Sequence, residues 1–234
     1  MTEMINPLIL FFSALLGGGI SVFLFKTIDE SKLKLIISFS GSYLLAICLL
    51  HLIPEIYSGN GQDIGKYLLG GFFLQVLLEF FSGGIEHGHV HVHKGNVNVI
   101  PMALLLSLCV HAFTEGMPIG SGMHHQHNTL LVGIVLHKMP IAFVLMAFMA
   151  EAKISRLKSI IILFVFALMA PLGVFAGTAV QGFISIDKLL AVVVGIFLHV
   201  STTILFESSD NHRFNIQKII IILIGASLAF LNLS

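Results

Sequence analysis

The sequence has little charge. Twelve Lys and Arg and twelve Asp and Glu make up 10% of its 234 residues, where an average soluble domain carries roughly 25%. So few charged side chains cannot give a globule of this size a wetted surface. With 56% hydrophobic residues and a mean hydropathy of +0.99, the chain reads as an integral, multi-pass membrane protein whose main neighbour is the lipid bilayer. Net charge is absent as well, so no basic field argues for nucleic acid as a partner. Only two cysteines occur, Cys48 and Cys109, both inside apolar runs where they serve as small reduced hydrophobes. The N-terminal segment lacks a basic n-region and a small-residue cleavage site, so its first apolar run is expected to be a retained span. Nucleotide-binding motifs are missing, and the apolar runs lack the period-two alternation of barrel strands. Histidine, by contrast, is abundant: its 12 copies equal either charge class.

Apolar runs bounded by polar interruptions are long enough to cross a core of about 30 Å as helices. Eight are expected, over residues 7–25, 33–52, 67–81, 100–119, 130–150, 159–180, 189–206 and 219–233, the third and eighth being short. The loops after spans 1, 3, 5 and 7 hold nine of the cations: Lys26, Lys32, Lys34, Lys94, Lys153, Arg156, Lys158, Arg213 and Lys218. The other side has only Lys66 and Lys188. Cytosolic loops collect Lys and Arg, so both termini are expected outside and the loop 82–99 in the cytosol. The fold expected is all-α, one transmembrane domain over residues 1–234, with two bundles of three helices around a central pair in a 3+2+3 arrangement.

Ionisable side chains at membrane depth are costly and mark a pathway or site. His111 and Glu115 in span 4 are four residues apart, so one helix face presents an imidazole above a carboxylate. That is a common ligand pair for zinc and other divalent first-row metals. At about 1.5 Å per residue, His111 lies about 12 Å below the outer end of span 4 and His137 about 10 Å below that of span 5. Neighbouring helices can bring both to one ion. Pro140, three residues beyond His137, is either an ordinary kink or a device that frees the carbonyl near Leu136.

The remaining buried polar groups leave alternatives open. His51 and Glu55 at the outer end of span 2 read either as an interfacial pair reaching for water or as an entry site. His199 in span 7, beside Ser201, Thr202 and Thr203, reads first as a hydrogen-bonded packing histidine and second as an auxiliary ligand. Glu207 and Glu79, near the cytosolic face, read as exit carboxylates or solvated helix ends. In the loop 82–99, His87, His89, His91 and His93 alternate with small residues, a compositional metal-binding signal suited to weak, fast-exchanging capture. His124, His125 and His127 form a shorter cluster on the opposite side.

At these residues the chain resembles the ZIP (ZRT/IRT-like) family of divalent metal transporters. The resemblance covers most of the chain: eight spans, the histidine-rich loop, the span 4 segment from His111 to Gly120, the span 5 segment His137-Lys138-Met139-Pro140 and the span 2 segment from His51 to Glu55. The family's span 4 reads approximately His-Asn-x-x-Asp-Gly and its span 5 His-Glu-x-Pro-His/Glu, building two adjacent metal positions. His111, Glu115 and His137 match that pattern. Ala112 replaces the asparagine, Lys138 the acidic residue, and Ile141 the residue after the proline that bridges both metals.

The resemblance therefore implies a transporter and not an enzyme, with a single-metal site and an ammonium in the electrostatic place of a second cation. It resembles one branch in which His-Ala and His-Lys-x-Pro occur together. Its cargo is expected to be Zn²⁺, with Fe²⁺, Mn²⁺ and Cd²⁺ as other candidates, moving toward the cytosol. A homodimer is a candidate assembly, and the plasma membrane, the inner one in a bacterium, the expected location. Two alternatives stand beside transport. One is an intramembrane zinc hydrolase with His199 as third ligand and an open coordination position for water; the other is a metal-sensing membrane protein without flux.

Overall fold

The computed structural model of the protein describes residues 2–24, 30–58, 63–84, 102–120, 127–207 and 216–231. Among these, all regular elements are helical: α1 (Thr2–Leu24), α2 (Glu30–Ile47), α3 (Ile53–Ser58), α4 (Ile64–Ser82), α5 (Met102–Gly120), α6 (His127–Glu151), α7 (Arg156–Val180), α8 (Ile186–Glu207) and α9 (Ile216–Leu231). The polytopic helical architecture expected from composition is what the chain adopts. Among the described residues, seven spans have the length and apolarity to cross a membrane, and α9 is apolar but only 16 residues long. The third span is not short. Its polar first turn joins the helix from Ile64, giving 19 residues.

Span 2 is compound, α2 passing through a π-turn at Cys48–Leu52 into α3. Pro54 has no N–H to give the carbonyl four residues back. The chain widens just before it, the Ile53 N–H donating to the Cys48 carbonyl, and the added residue changes the face on which His51 lies. At the other extreme, α4 stops because Gly83 takes a left-handed conformation (φ +65°) and its N–H donates to the Glu79 carbonyl at 2.9 Å.

The helices pack as two groups. In one, α1 packs on α6 and α7, and α5 on α7; in the other, α2 packs on α8 and α9, and α4 on α8. The groups meet chiefly where α6 lies on α2 and where α5 lies on α4 and α8. Exchanging span 1 with 6, 2 with 7, 3 with 8 and 4 with 5 carries α1·α6 onto α7·α5, α2·α9 onto α8·α4, and α2·α6 onto α8·α5. Each exchange pairs an odd span with an even one, so the repeats are inverted; in space the helices pack four and four, spans 4 and 5 in one group, and not as two bundles of three around a central pair. Nine consecutive residues of α6, from Ile141 to Met149, are buried. A helix with no exposed face over more than two turns is encircled by protein, which places span 5 at the centre.

The loop histidines His87, His89, His91 and His93 lie outside the described residues, as do His124 and His125. The backbone of Glu207 closes α8 and that of His127 opens α6, and their side chains also lie outside the description.

Candidate metal site

The polar residues of spans 4 and 5 converge. His111 and Glu115 are one turn apart on α5, and His111 Nε2 lies 2.8 Å from Glu115 Oε1. From α6, His137 Nε2 lies 3.9 Å from the same oxygen. The two imidazoles stand edge to face, ring centroids 5.7 Å apart. One donor atom from each of the three residues falls within 4.8 Å of the others, and His111, Glu115 and His137 are at most 1% exposed. Donors about 2.0–2.1 Å from a tetrahedral zinc lie about 3.3 Å apart. The two distances to Glu115, 2.8 and 3.9 Å, bracket that separation.

Lys138 occupies the opposite side of Glu115. Its Nζ is 3.6 Å from Oε2 and 4.8 Å from the centre of the Phe166 ring on α7, and the side chain is fully buried. Glu115 thus divides its two oxygens between imidazoles and an ammonium. Ala112 and Ile141 are also buried and offer no ligating side-chain atom. α6 continues through Pro140, which leaves the Leu136 carbonyl without its helical donor beside His137.

The site has an outer layer that residue charge does not reveal. Gln75 on α4, fully buried, accepts at Oε1 from the Nδ1–H of His111 at 2.8 Å. Ser40 on α2 places its Oγ 3.4 Å from His137 Nδ1. Neither is ionisable, so charge within an apolar run does not point to them. The available signal was a glutamine in the middle of the apolar run 67–81.

Other expected residues lie elsewhere. His51 does not reach for water: it is 5% exposed, and its Nε2 sits 3.2 Å from the Ala229 carbonyl on α9. His199 is 3.2 Å from Glu79 Oε2 and packs edge-on against Phe72. Its threonine neighbours turn their hydroxyls to main-chain carbonyls of Leu198 and His199 instead. The metal-capable cluster of the described residues does not include His199.

A sequence model of the family described as ZIP Zinc transporter matches residues 82–232, more than half of the chain and inclusive of this cluster. The chain belongs to the ZIP zinc transporter family. Among similar proteins, protein zntD of Dictyostelium discoideum is 28% identical over 163 residues, covering 62% of this chain. Zinc transporter ZIP1 of Danio rerio is 24% identical over 200 residues and 65% of the chain, and zinc transporter ZIP9 of Micropogonias undulatus 28% over 131 residues and 50% of the chain. The matched stretches span 24%, 66% and 42% of those three proteins. In this ZIP protein the matched stretch contains the converging His111, Glu115 and His137 and, beside them in sequence, Ala112, Lys138 and Ile141.

Proposed function

We propose that this ZIP protein moves a divalent cation, zinc in preference to iron, manganese or cadmium, across the membrane toward the cytosol through one site between α5 and α6. The observation that carries the reading is the convergence of His111, Glu115 and His137 in a buried place. Two neutral imidazoles and one carboxylate suit zinc and leave a coordination position for water. Lys138 fills the second position electrostatically, so one ion is carried at a time. Uptake runs down the metal gradient, inward with respect to the nine-to-two distribution of cations between loops. Entry is assigned to the outer end of span 2 near Glu55, where His51 itself is turned to the Ala229 carbonyl. Exit is assigned to Glu207 and the loop histidines His87, His89, His91 and His93, with His199 auxiliary.

Two groups sliding past each other suit this site. Glycines whose absent Cβ leaves room for a partner helix's backbone lie within groups: Gly17 faces Met139, Gly177 faces Met117, Gly71 faces Val192 and Gly225 faces Phe39. Across the group boundary, Gly133 of α6 faces the side chains of Ile47 and Leu44 on α2. Close main-chain contacts of this kind are thus found within each group, while Gly133 at the seam meets side chains.

Zinc entry into proteoliposomes loaded with a zinc-sensitive dye tests the reading. Saturable entry that falls at least tenfold in His111→Ala and His137→Ala is expected. Metal binding without entry would favour a sensor, and zinc-dependent cleavage of amides or esters would favour the hydrolase.

A further inference from the structure

The ligands and their hydrogen-bond partners belong to different bodies. His111, Glu115 and His137 stand on α5 and α6 of one group, whereas Gln75 and Ser40 stand on α4 and α2 of the other. A slide between the groups carries all three ligands together and leaves Gln75 and Ser40 behind. We propose that Gln75, seconded by Ser40, is a positioning residue that ties the ion affinity of the two histidines to the relative position of the two helix groups. This inference rests on the metal-site reading above.

The chemistry follows from which nitrogen is engaged. Gln75 Oε1 accepts the Nδ1–H of His111, so Nε2, the nitrogen aimed at Glu115, is the one presented to a cation. An acceptor behind a ligating imidazole fixes the tautomer, holds the ring plane and raises the basicity of the ligating nitrogen. The Ser40 hydroxyl lies 3.4 Å from Nδ1 of His137, where its oxygen can accept in the same way when Nε2 faces the cation. In the arrangement described here both imidazoles are oriented and the ion is held tightly. Once the groups have slid, both rings lose these partners and the ion is released more readily. The cation can therefore be bound strongly on one side and discharged on the other without any change of ligand. A fully buried glutamine is costly in a membrane interior, and its place opposite a ligating histidine gives that cost a function.

The test compares Gln75→Met, Gln75→Glu, Ser40→Ala and His111→Ala by zinc titration of the purified full chain and by uptake kinetics in proteoliposomes. Gln75→Met keeps the volume and removes the acceptor; about 10–100-fold weaker zinc binding is expected at unchanged stoichiometry. Gln75→Glu restores an acceptor and should bring affinity back to within a few-fold of the parent. Ser40→Ala reads the same effect at His137 through a small substitution, with a several-fold loss. KM should rise in the Met and Ala variants while the maximal rate holds or increases, because the lost bond exists in the loaded state and not during the slide. A purely packing role for Gln75 predicts equal losses in Met and Glu, or a fall in maximal rate with KM unchanged; either result overturns the proposal. Full affinity in Gln75→Met and Ser40→Ala, with binding abolished in His111→Ala, would overturn the positioning role and leave the metal site standing. Full affinity in His111→Ala would overturn both.

Discussion

Replacing Lys138 by methionine removes one charge from the centre of the protein at nearly constant volume. Its ammonium lies 3.6 Å from Glu115 Oε2 with both side chains 1% exposed. At that distance and an effective dielectric constant of about 20, the attraction is about 4.6 kcal/mol. Breaking one partner out of a buried pair costs about 3–5 kcal/mol, because the remaining charge stays buried and uncompensated. For a chain of this size that corresponds to a fall in melting midpoint of roughly 6–20 °C in the absence of metal. A bound cation has the opposite effect. It supplies the positive charge that Glu115 has lost and no longer meets the repulsion of Lys138, so zinc affinity should rise by about tenfold or more, a difference of at least about 1.4 kcal/mol. Melting of purified Lys138→Met in detergent, with chelator and with saturating zinc, reads both quantities. The variant should be much weaker than the parent in chelator and recover most of the gap in zinc. An unchanged midpoint in chelator, together with unchanged or weaker zinc binding, would refute the idea that Lys138 holds the place of a cation.

Two other perturbations follow from the same geometry. Lys138→Asp puts a carboxylate in the place of the ammonium, and equilibrium dialysis should then count a second zinc per chain; an unchanged count would contradict the reading of Lys138 as the stand-in for a second cation. Gly177→Val forces side-chain atoms against the main-chain oxygen of Met117, and overpacking of that kind costs about 1–3 kcal/mol. A lowered melting midpoint is expected, and one equal to the parent's would contradict the locked contact of α5 and α7.

The residues that spell the site were legible because a membrane makes charge conspicuous. His111, Glu115 and His137 stand out in apolar runs, and their helical spacing and matching depth put them within reach of one another. Span boundaries were legible to within a few residues, with helices starting early because a polar first turn can still be helical, as at Ile64 of α4 and Ile216 of α9. Neutral partners were not legible. Gln75 and Ser40 earn their meaning only from which helices are neighbours, and so does the pairing of His199 with Glu79 across α8 and α4. The π-turn ahead of Pro54 was also hidden, since a proline signals a lost hydrogen bond without saying how the chain absorbs it. It is that turn, with α9 alongside, that sets His51 against a carbonyl and not against water.

The account turns on which atoms hold the transported ion. Zinc K-edge X-ray absorption on the full chain loaded with one equivalent of metal measures this directly. It should show two imidazole nitrogens and carboxylate or water oxygens at about 2.0–2.1 Å, with one nitrogen lost in His137→Ala. A first shell of three or more imidazoles that survives His137→Ala would place the ion on the loop histidines and contradict a transport site built from α5 and α6.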